Sequence, residues 1–272
     1  MRFAICNEMF EGWGFDEICI EAARCGYEGI EIAPFTLDED PSRITEQQAA
    51  QIARTADEHG LQVIAFHWLL AKPSGLHLTT PDDAVRARTS DFLKHLARLC
   101  AAMNGKYLVF GSPKQRDLMP GVTYEDAFGR AADIFSAVAQ YAGPLGVSLA
   151  LEPLGPDETT FMVTTEQTVR LVETVNHPAC RLHLDVKAMA TEASGIVATI
   201  ENNAEHMAYF HANDVNLRGP GFGDVDFTPI FATLKHIGYD GWVSVEVFDY
   251  SPDPQTIAKK SIAHMRRSLA QT

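Results

Sequence analysis

Four residues in the second half of the chain have the types and placing of metal ligands: Glu152, Asp185, His211 and Glu246. Each comes directly after a short apolar run, SLAL before Glu152, RLHL before Asp185, AYF before His211 and VSV before Glu246. Three carboxylates and one imidazole make a mostly hard, oxygen-rich donor set. It suits one divalent ion, Mn²⁺, Mg²⁺ or Co²⁺, with Zn²⁺ admitted but less favoured without thiolates. Open positions on such an ion take two oxygens of a substrate. A single acid after a strand is commonly a loop residue or a helix cap. Four polar residues in succession, each at the same place in its unit, are not explained that way. As a buried network without metal they would leave three mutually repelling carboxylates with one imidazole to compensate, and a cation resolves that repulsion more naturally.

For these side chains to meet, the runs that carry them must end on one face. Short apolar runs alternate with longer helical segments along the whole chain, the pattern of repeated βα units. Eight strand candidates are counted: Arg2 to Cys6, Gly29 to Ile32, Gln62 to Phe66, Tyr107 to Phe110, Ser148 to Leu151, Arg181 to Leu184, Ala208 to Phe210 and Trp242 to Val245. Their continuous apolarity suits strands covered on both faces. Eight parallel strands closed into a (β/α)8 barrel gather their C-terminal ends around one axis, which brings the four donors together. Helix starts punctuate the series. Thr45 to Gln48 and Thr164 to Gln167 fit a capping box, and Thr80-Pro81-Asp82-Asp83 places proline at a first helical position. Val85, Phe92, Leu93, Leu96, Leu99, Cys100 and Met103 mark one apolar helix face. Gly26, Gly60, Gly105, Gly146 and Gly238 fall where left-handed caps are expected. No linker or composition break interrupts residues 1–272, so one domain is predicted.

With 22 Lys and Arg against 36 Asp and Glu, the formal net charge of -14 opposes nucleic acid and acidic membranes as partners. The five cysteines are scattered with no CxxC pair, so they read as buried hydrophobes in a reducing compartment. The opening MRFAICNEMF is too short in its apolar run for a signal or a span, and a cytoplasmic location is expected.

At the four ligand positions the sequence resembles the sugar phosphate isomerase/epimerase group of xylose isomerase-like TIM barrels, which includes the ketose 3-epimerases. The resemblance runs from Gly26-Tyr27-Glu28-Gly29-Ile30-Glu31-Ile32 to Gly238-Tyr239-Asp240-Gly241-Trp242 and on to Glu246. It implies metal ligation by Glu152 in LEPL, Asp185 in LDVK, His211 in HANDVN and Glu246 in VEVF. It makes Glu152 and Glu246 the acid/base pair. It also implies substrate contacts from Glu158 and Arg218, with Asp214 in the loop that matches the family's after the seventh strand, and assembly as a homodimer or homotetramer. Three positions depart from the family's pattern: Ala188 stands where a histidine is usual, and Gly155-Pro156 and Val163 stand where the epimerases tend to have Asn-Arg and Asn. Lys187 reads either as a replacement charge at these positions or, the commoner case, as a solvated lysine. His67, followed by Trp68, reads either as an imidazole bonded to substrate beside an aromatic wall or as a packed histidine. Glu31, within the second strand, and more weakly Glu8 are candidates to face the same pocket. The loop Pro220 to Phe227 has no phosphate-cradle pattern and reads as a turn into a helix capped by Asp226 or by Thr228-Pro229.

The chemistry expected is removal of a proton from a carbon next to a carbonyl of a sugar-like polyhydroxy ketone. A divalent ion on carbonyl and hydroxyl oxygens stabilises the enediolate while a carboxylate takes the proton. Epimerisation or isomerisation leads. A lyase of the 3-dehydroshikimate dehydratase type is the first alternative, and a non-catalytic barrel subunit is the second. A nuclease resembling endonuclease IV would need more histidines than the matching positions supply.

Overall fold

In the computed structural model, which describes residues 1–272, eight strands pair in parallel in chain order and the eighth returns to the first, closing a barrel. They are β1 (Arg2–Cys6), β2 (Gly29–Ile32), β3 (Gln62–Phe66), β4 (Tyr107–Phe110), β5 (Ser148–Leu151), β6 (Cys180–Asp185), β7 (Met207–Ala212) and β8 (Trp242–Val245). Around them lie α1 (Phe15–Cys25), α2 (Glu46–Glu58), α3 (Asp83–Ala102), α4 (Tyr124–Ala142), α5 (Thr165–Val175), α6 (Val186–Met189), α7 (Gly195–Asn202), α8 (Phe227–His236) and α9 (Pro254–Ala270). The (β/α)8 barrel expected from the alternation is the observed fold. No helix is long and apolar enough to cross a membrane, and all five cysteines are free thiols.

Two strands run further than their apolar stretches. β6 takes in Asp185 and β7 takes in His211 and Ala212, because the pairing is made by backbone and continues past the last apolar side chain. Asp185 lies opposite His211, His211 opposite Ser244 and Ala212 opposite Val245. Two ligand candidates are therefore part of the barrel wall, while Glu152 and Glu246 stand one residue beyond theirs. Their backbone N–H groups still reach the neighbouring strand, Glu152 to the Phe110 carbonyl at 3.3 Å and Glu246 to that of Ala212 at 3.4 Å.

The space inside the barrel changes character along its axis. Ala4, Ala65, Val109 and Ala150 are small enough to leave room for Tyr209, whose ring stacks on Tyr107 at 4.8 Å. At the N-terminal end the Arg2 guanidinium lies 3.9 Å above the Trp242 ring. Towards the C-terminal end the buried side chains are polar: Glu31, His183, Asp185, His211 and Ser244. The strand register shifts between Ile30 and Glu31 and again between Leu182 and His183. These irregularities fall where polar side chains enter the barrel, the use to which bulges are commonly put.

The helix signals are followed with three corrections. Thr45 and Gln48 form the expected reciprocal capping box. Thr164 caps the Gln167 N–H, but the Gln167 side chain accepts from Val163 rather than from Thr164, so that box is only half formed. Asp82, not Thr80, caps α3, accepting from the N–H groups of Ala84 and Val85, which puts Pro81 before the cap instead of inside the helix. Gly26, Gly60, Gly146 and Gly238 have positive φ, whereas at the fifth expected cap Asn104 takes the left-handed conformation with φ 59°. Gly105 serves close packing instead, since a Cβ there would lie 2.6 Å from the Cys100 sulfur.

Arg116, in the loop after β4, is wholly buried and ties two strand ends together. Its guanidinium donates to the carbonyls of Phe110 and Glu152, each at 2.6 Å, and to that of Ser112 at 3.2 Å. Burial lowers its pKa to about 10, which still leaves a cation at neutral pH. Replacing Arg116 by Met keeps the bulk but strands buried carbonyls, and should cost about 3–5 kcal/mol of stability. A urea unfolding midpoint unchanged from wild type would show that these bonds carry no net stability.

Candidate active site

At the C-terminal mouth of the barrel Glu152, Asp185, His211 and Glu246, all buried, bring one donor atom each to within 4.8 Å of one another. They come from the ends of four successive strands, β5 to β8, as the repeat predicts. Asp185 is aimed by two bonds, one oxygen accepting from the Ala188 N–H at 2.9 Å and the other from the Asn213 amide at 2.5 Å. Nδ1 of His211 lies 3.1 Å from Glu246. The indole N–H of Trp68 donates to the other oxygen of Glu246, also at 3.1 Å. Glu152 occupies space vacated by Gly111, where a Cβ would overlap its carboxylate.

Electrostatics shows what the cluster lacks. Burial, followed by the charges of Glu246 and Asp185, pushes the Glu152 carboxyl well above the usual range. Burial raises Asp185 as well, with Glu246 adding to it against the opposing pull of Lys187. Burial disfavours the imidazolium of His211, but Glu31 and Glu246 outweigh it and hold the pKa well up. Within the cluster only His211 can carry a positive charge. A divalent ion fits the donor set: three carboxylates and one imidazole converge, dry and preorganised, on a volume with space kept clear by a glycine.

The remaining candidates are placed as follows. His67 is buried with Nε2 2.8 Å from Glu8 and Nδ1 3.5 Å from Glu31, so both ring edges face carboxylates. Trp68, at φ 51°, sets its ring against Phe35 and Phe248, forming the aromatic wall beside Glu246. Lys187 is a correction: it is buried, not solvated, with its ammonium 2.5 Å from Glu158 and 4.4 Å from the centre of the Phe248 ring. The cause is local. Asp185 caps the short helix α6, and that turn folds Lys187 back over the mouth. Arg218 is committed to Asp249 at 2.7 Å, a bond that holds the Asp249 carboxyl down at about 2. Asp214 turns into its own loop and accepts from the Val225 N–H at 3.1 Å. Asp226 is the cap of α8.

Several residues at the site escaped the reading of the sequence. His183 and Tyr209 stand two residues before Asp185 and His211, and strand alternation sends residues i and i-2 to the same face, which is the signal that would have found them. His183 packs its ring 4.2 Å from that of His211. Gly111 and Arg116 carry no such signal, since their roles depend on contacts between strands.

The family model for the xylose isomerase-like TIM barrel matches residues 19–268. The chain belongs to this family. Among the relatives of this xylose isomerase-like barrel, an L-ribulose 3-epimerase of Methylomonas sp. (strain DH-1) is 28% identical over 227 residues, covering 84% of this chain and 76% of the relative. A ketose 3-epimerase of Arthrobacter globiformis is 29% identical over 234 residues, 85% of this chain and 79% of the relative. The solved structure of an L-ribulose 3-epimerase superposes with a TM-score of 0.87 at 22% identity, covering 99% of this chain and 94% of the other. Family and relatives place the barrel among isomerases and epimerases.

Protons compete with a cation for Glu152, Asp185 and His211, whose pKa values are all raised, so apparent affinity should increase as pH rises. Elemental analysis after mild purification should find about one divalent ion per chain. Both His211→Ala and Gly111→Ala should lose most of it while keeping wild-type circular dichroism. Retention of the ion by both variants would place it elsewhere.

Proposed function

We propose that this xylose isomerase-like barrel is a divalent-metal-dependent epimerase of small ketoses, inverting the carbon next to the carbonyl by proton exchange. The observation that carries the reading is the placing of two glutamates. Glu152 and Glu246 follow β5 and β8, with Asp185 and His211 on the two strands between them, so two carboxylates flank one shared centre. Substrate lying over that centre presents opposite faces to the two. The relatives' names support a ketose as the substrate class.

Glu152, Asp185, His211 and Glu246 would hold the ion. When bound, the ion supplies positive charge that acidifies the carbon next to a coordinated carbonyl and stabilises the anion left behind. The protein does the rest. One glutamate takes the proton from one face, and the other returns a proton from the opposite face, which inverts the centre. Trp68 holds one oxygen of Glu246 by its indole N–H and, with Phe248 and Phe35, walls the mouth against water. The Lys187–Glu158 pair sets an ammonium donor beside a carboxylate acceptor at the rim, a match for neighbouring hydroxyls of a ketose.

Glu152→Gln and Glu246→Gln keep shape but cannot act as bases, and each should reduce turnover by roughly two to four orders of magnitude. In deuterated water, the wild type should place solvent deuterium on the inverted carbon, read by NMR of the product. Ketose turnover without solvent exchange, and indifferent to both substitutions, would sink the two-glutamate reading. Lys187→Met should raise KM for the ketose about tenfold or more, the worth of a lost charged hydrogen bond, with a smaller effect on kcat. An unchanged KM would remove Lys187 from substrate recognition.

A further inference from the structure

Glu31 has no part in the four-donor cluster, yet it is among the most enclosed charges in the molecule, with no exposed surface. Its strand, β2, is separated from β7 by β1 and β8, so its side chain reaches His211 across the barrel interior and not along a shared edge. Nε2 of His211 lies 3.0 and 3.1 Å from the two oxygens of Glu31. The Tyr209 hydroxyl donates to one of those oxygens at 2.6 Å. Tyr209 and His211 occupy alternate positions of β7, so one strand face supplies both the residue being aimed and the residue that steadies the aiming carboxylate. The register shift between Ile30 and Glu31 is where β2 turns this side chain inward.

We infer that Glu31 is a positioning residue that fixes the tautomer and the ring orientation of His211 for the metal, an inference that rests on the metal-dependent reading. His211 supplies the only nitrogen of the donor set, and its two nitrogens face different partners. Nδ1 points to Glu246 and the cluster, and Nε2 points to Glu31. A carboxylate can only accept, so Nε2 facing Glu31 keeps its proton, and a cation bound in the cluster would take the place of the proton that Nδ1 otherwise shares with Glu246. The ring is not free to swap these roles, because His183 packs edge-on against it at 4.2 Å and Glu31 grips Nε2 with both oxygens. The negative charge of Glu31 also makes the imidazole a stronger donor to a cation than a neutral partner would. Tyr209 acts at one remove, donating its hydroxyl to the Glu31 carboxylate.

The test is Mn²⁺ binding by calorimetry on metal-stripped protein, with the visible spectrum of the Co²⁺-loaded form as a second readout, for wild type, Glu31→Gln and Tyr209→Phe. Circular dichroism and the melting temperature of the stripped proteins report folding separately. Glu31→Gln should weaken Mn²⁺ binding about ten- to a hundredfold and alter the Co²⁺ bands, with Tyr209→Phe showing a smaller loss in the same direction. A folded Glu31→Gln with wild-type affinity and an unchanged Co²⁺ spectrum overturns the inference and leaves the metal-dependent reading standing. If Glu31→Gln does not fold, Tyr209→Phe decides, and wild-type affinity and spectrum there overturn it equally. A wild type that binds no Mn²⁺ overturns both.

Discussion

Concentration of negative charge in a dry place is the constraint on which the rest of this structure depends. Glu8, Glu31, Glu152, Asp185 and Glu246 all lie buried at one end of a barrel whose other end is filled by apolar and aromatic side chains. Isolated carboxylates in such surroundings would take up protons or unfold the chain. Each must be answered by a cation, a donor or a proton, and much of the polar architecture consists of those answers.

The answers divide into permanent and exchangeable ones. Arg116 is permanent, though it spends its donors on carbonyls of the strand ends and meets the carboxylates only through its charge. His67 lies between Glu8 and Glu31, and although burial works against its imidazolium, Cys6 and Glu8 raise its pKa well above the ordinary value. Lys187 answers Glu158 and Asp185. Burial works against Glu31 too, yet the charge of His211 holds its carboxyl below the usual range. Three of these carboxyls are nevertheless pushed upward by burial, Glu8, Glu152 and Asp185, and the last two sit in the cluster that a divalent ion fits.

The barrel and its four donors were legible because both follow from periodicity: apolar runs repeat, and polar residues recur at the same phase of each run. Boundaries were legible where side-chain type changes with backbone pairing, as at β5 and β8, and misjudged where it does not, as at Asp185 and His211. Lys187 was misread because solvation is the ordinary state of a lysine, and nothing in its neighbours announces that α6 is a single turn capped by Asp185. Asp214 accepts from the Val225 N–H within its own loop, a contact that its place in the sequence does not announce. The contact between Tyr209 and Glu31 crosses the barrel and those of Arg116 join strand ends, over separations in sequence that no local pattern spans.

Two of the four donors belong to the barrel wall and two do not. Asp185 and His211 lie within paired strands, opposite each other, and cannot move without breaking the ladder. Glu152 and Glu246 stand past the last paired residue, held to their neighbours by the longer backbone bonds of 3.3 and 3.4 Å. Such a centre is stiff on one side and compliant on the other. On the proposed metal-dependent reading, ions of different radius would be accommodated by adjusting the two glutamates, and the supply of metal around the protein would decide which one it carries.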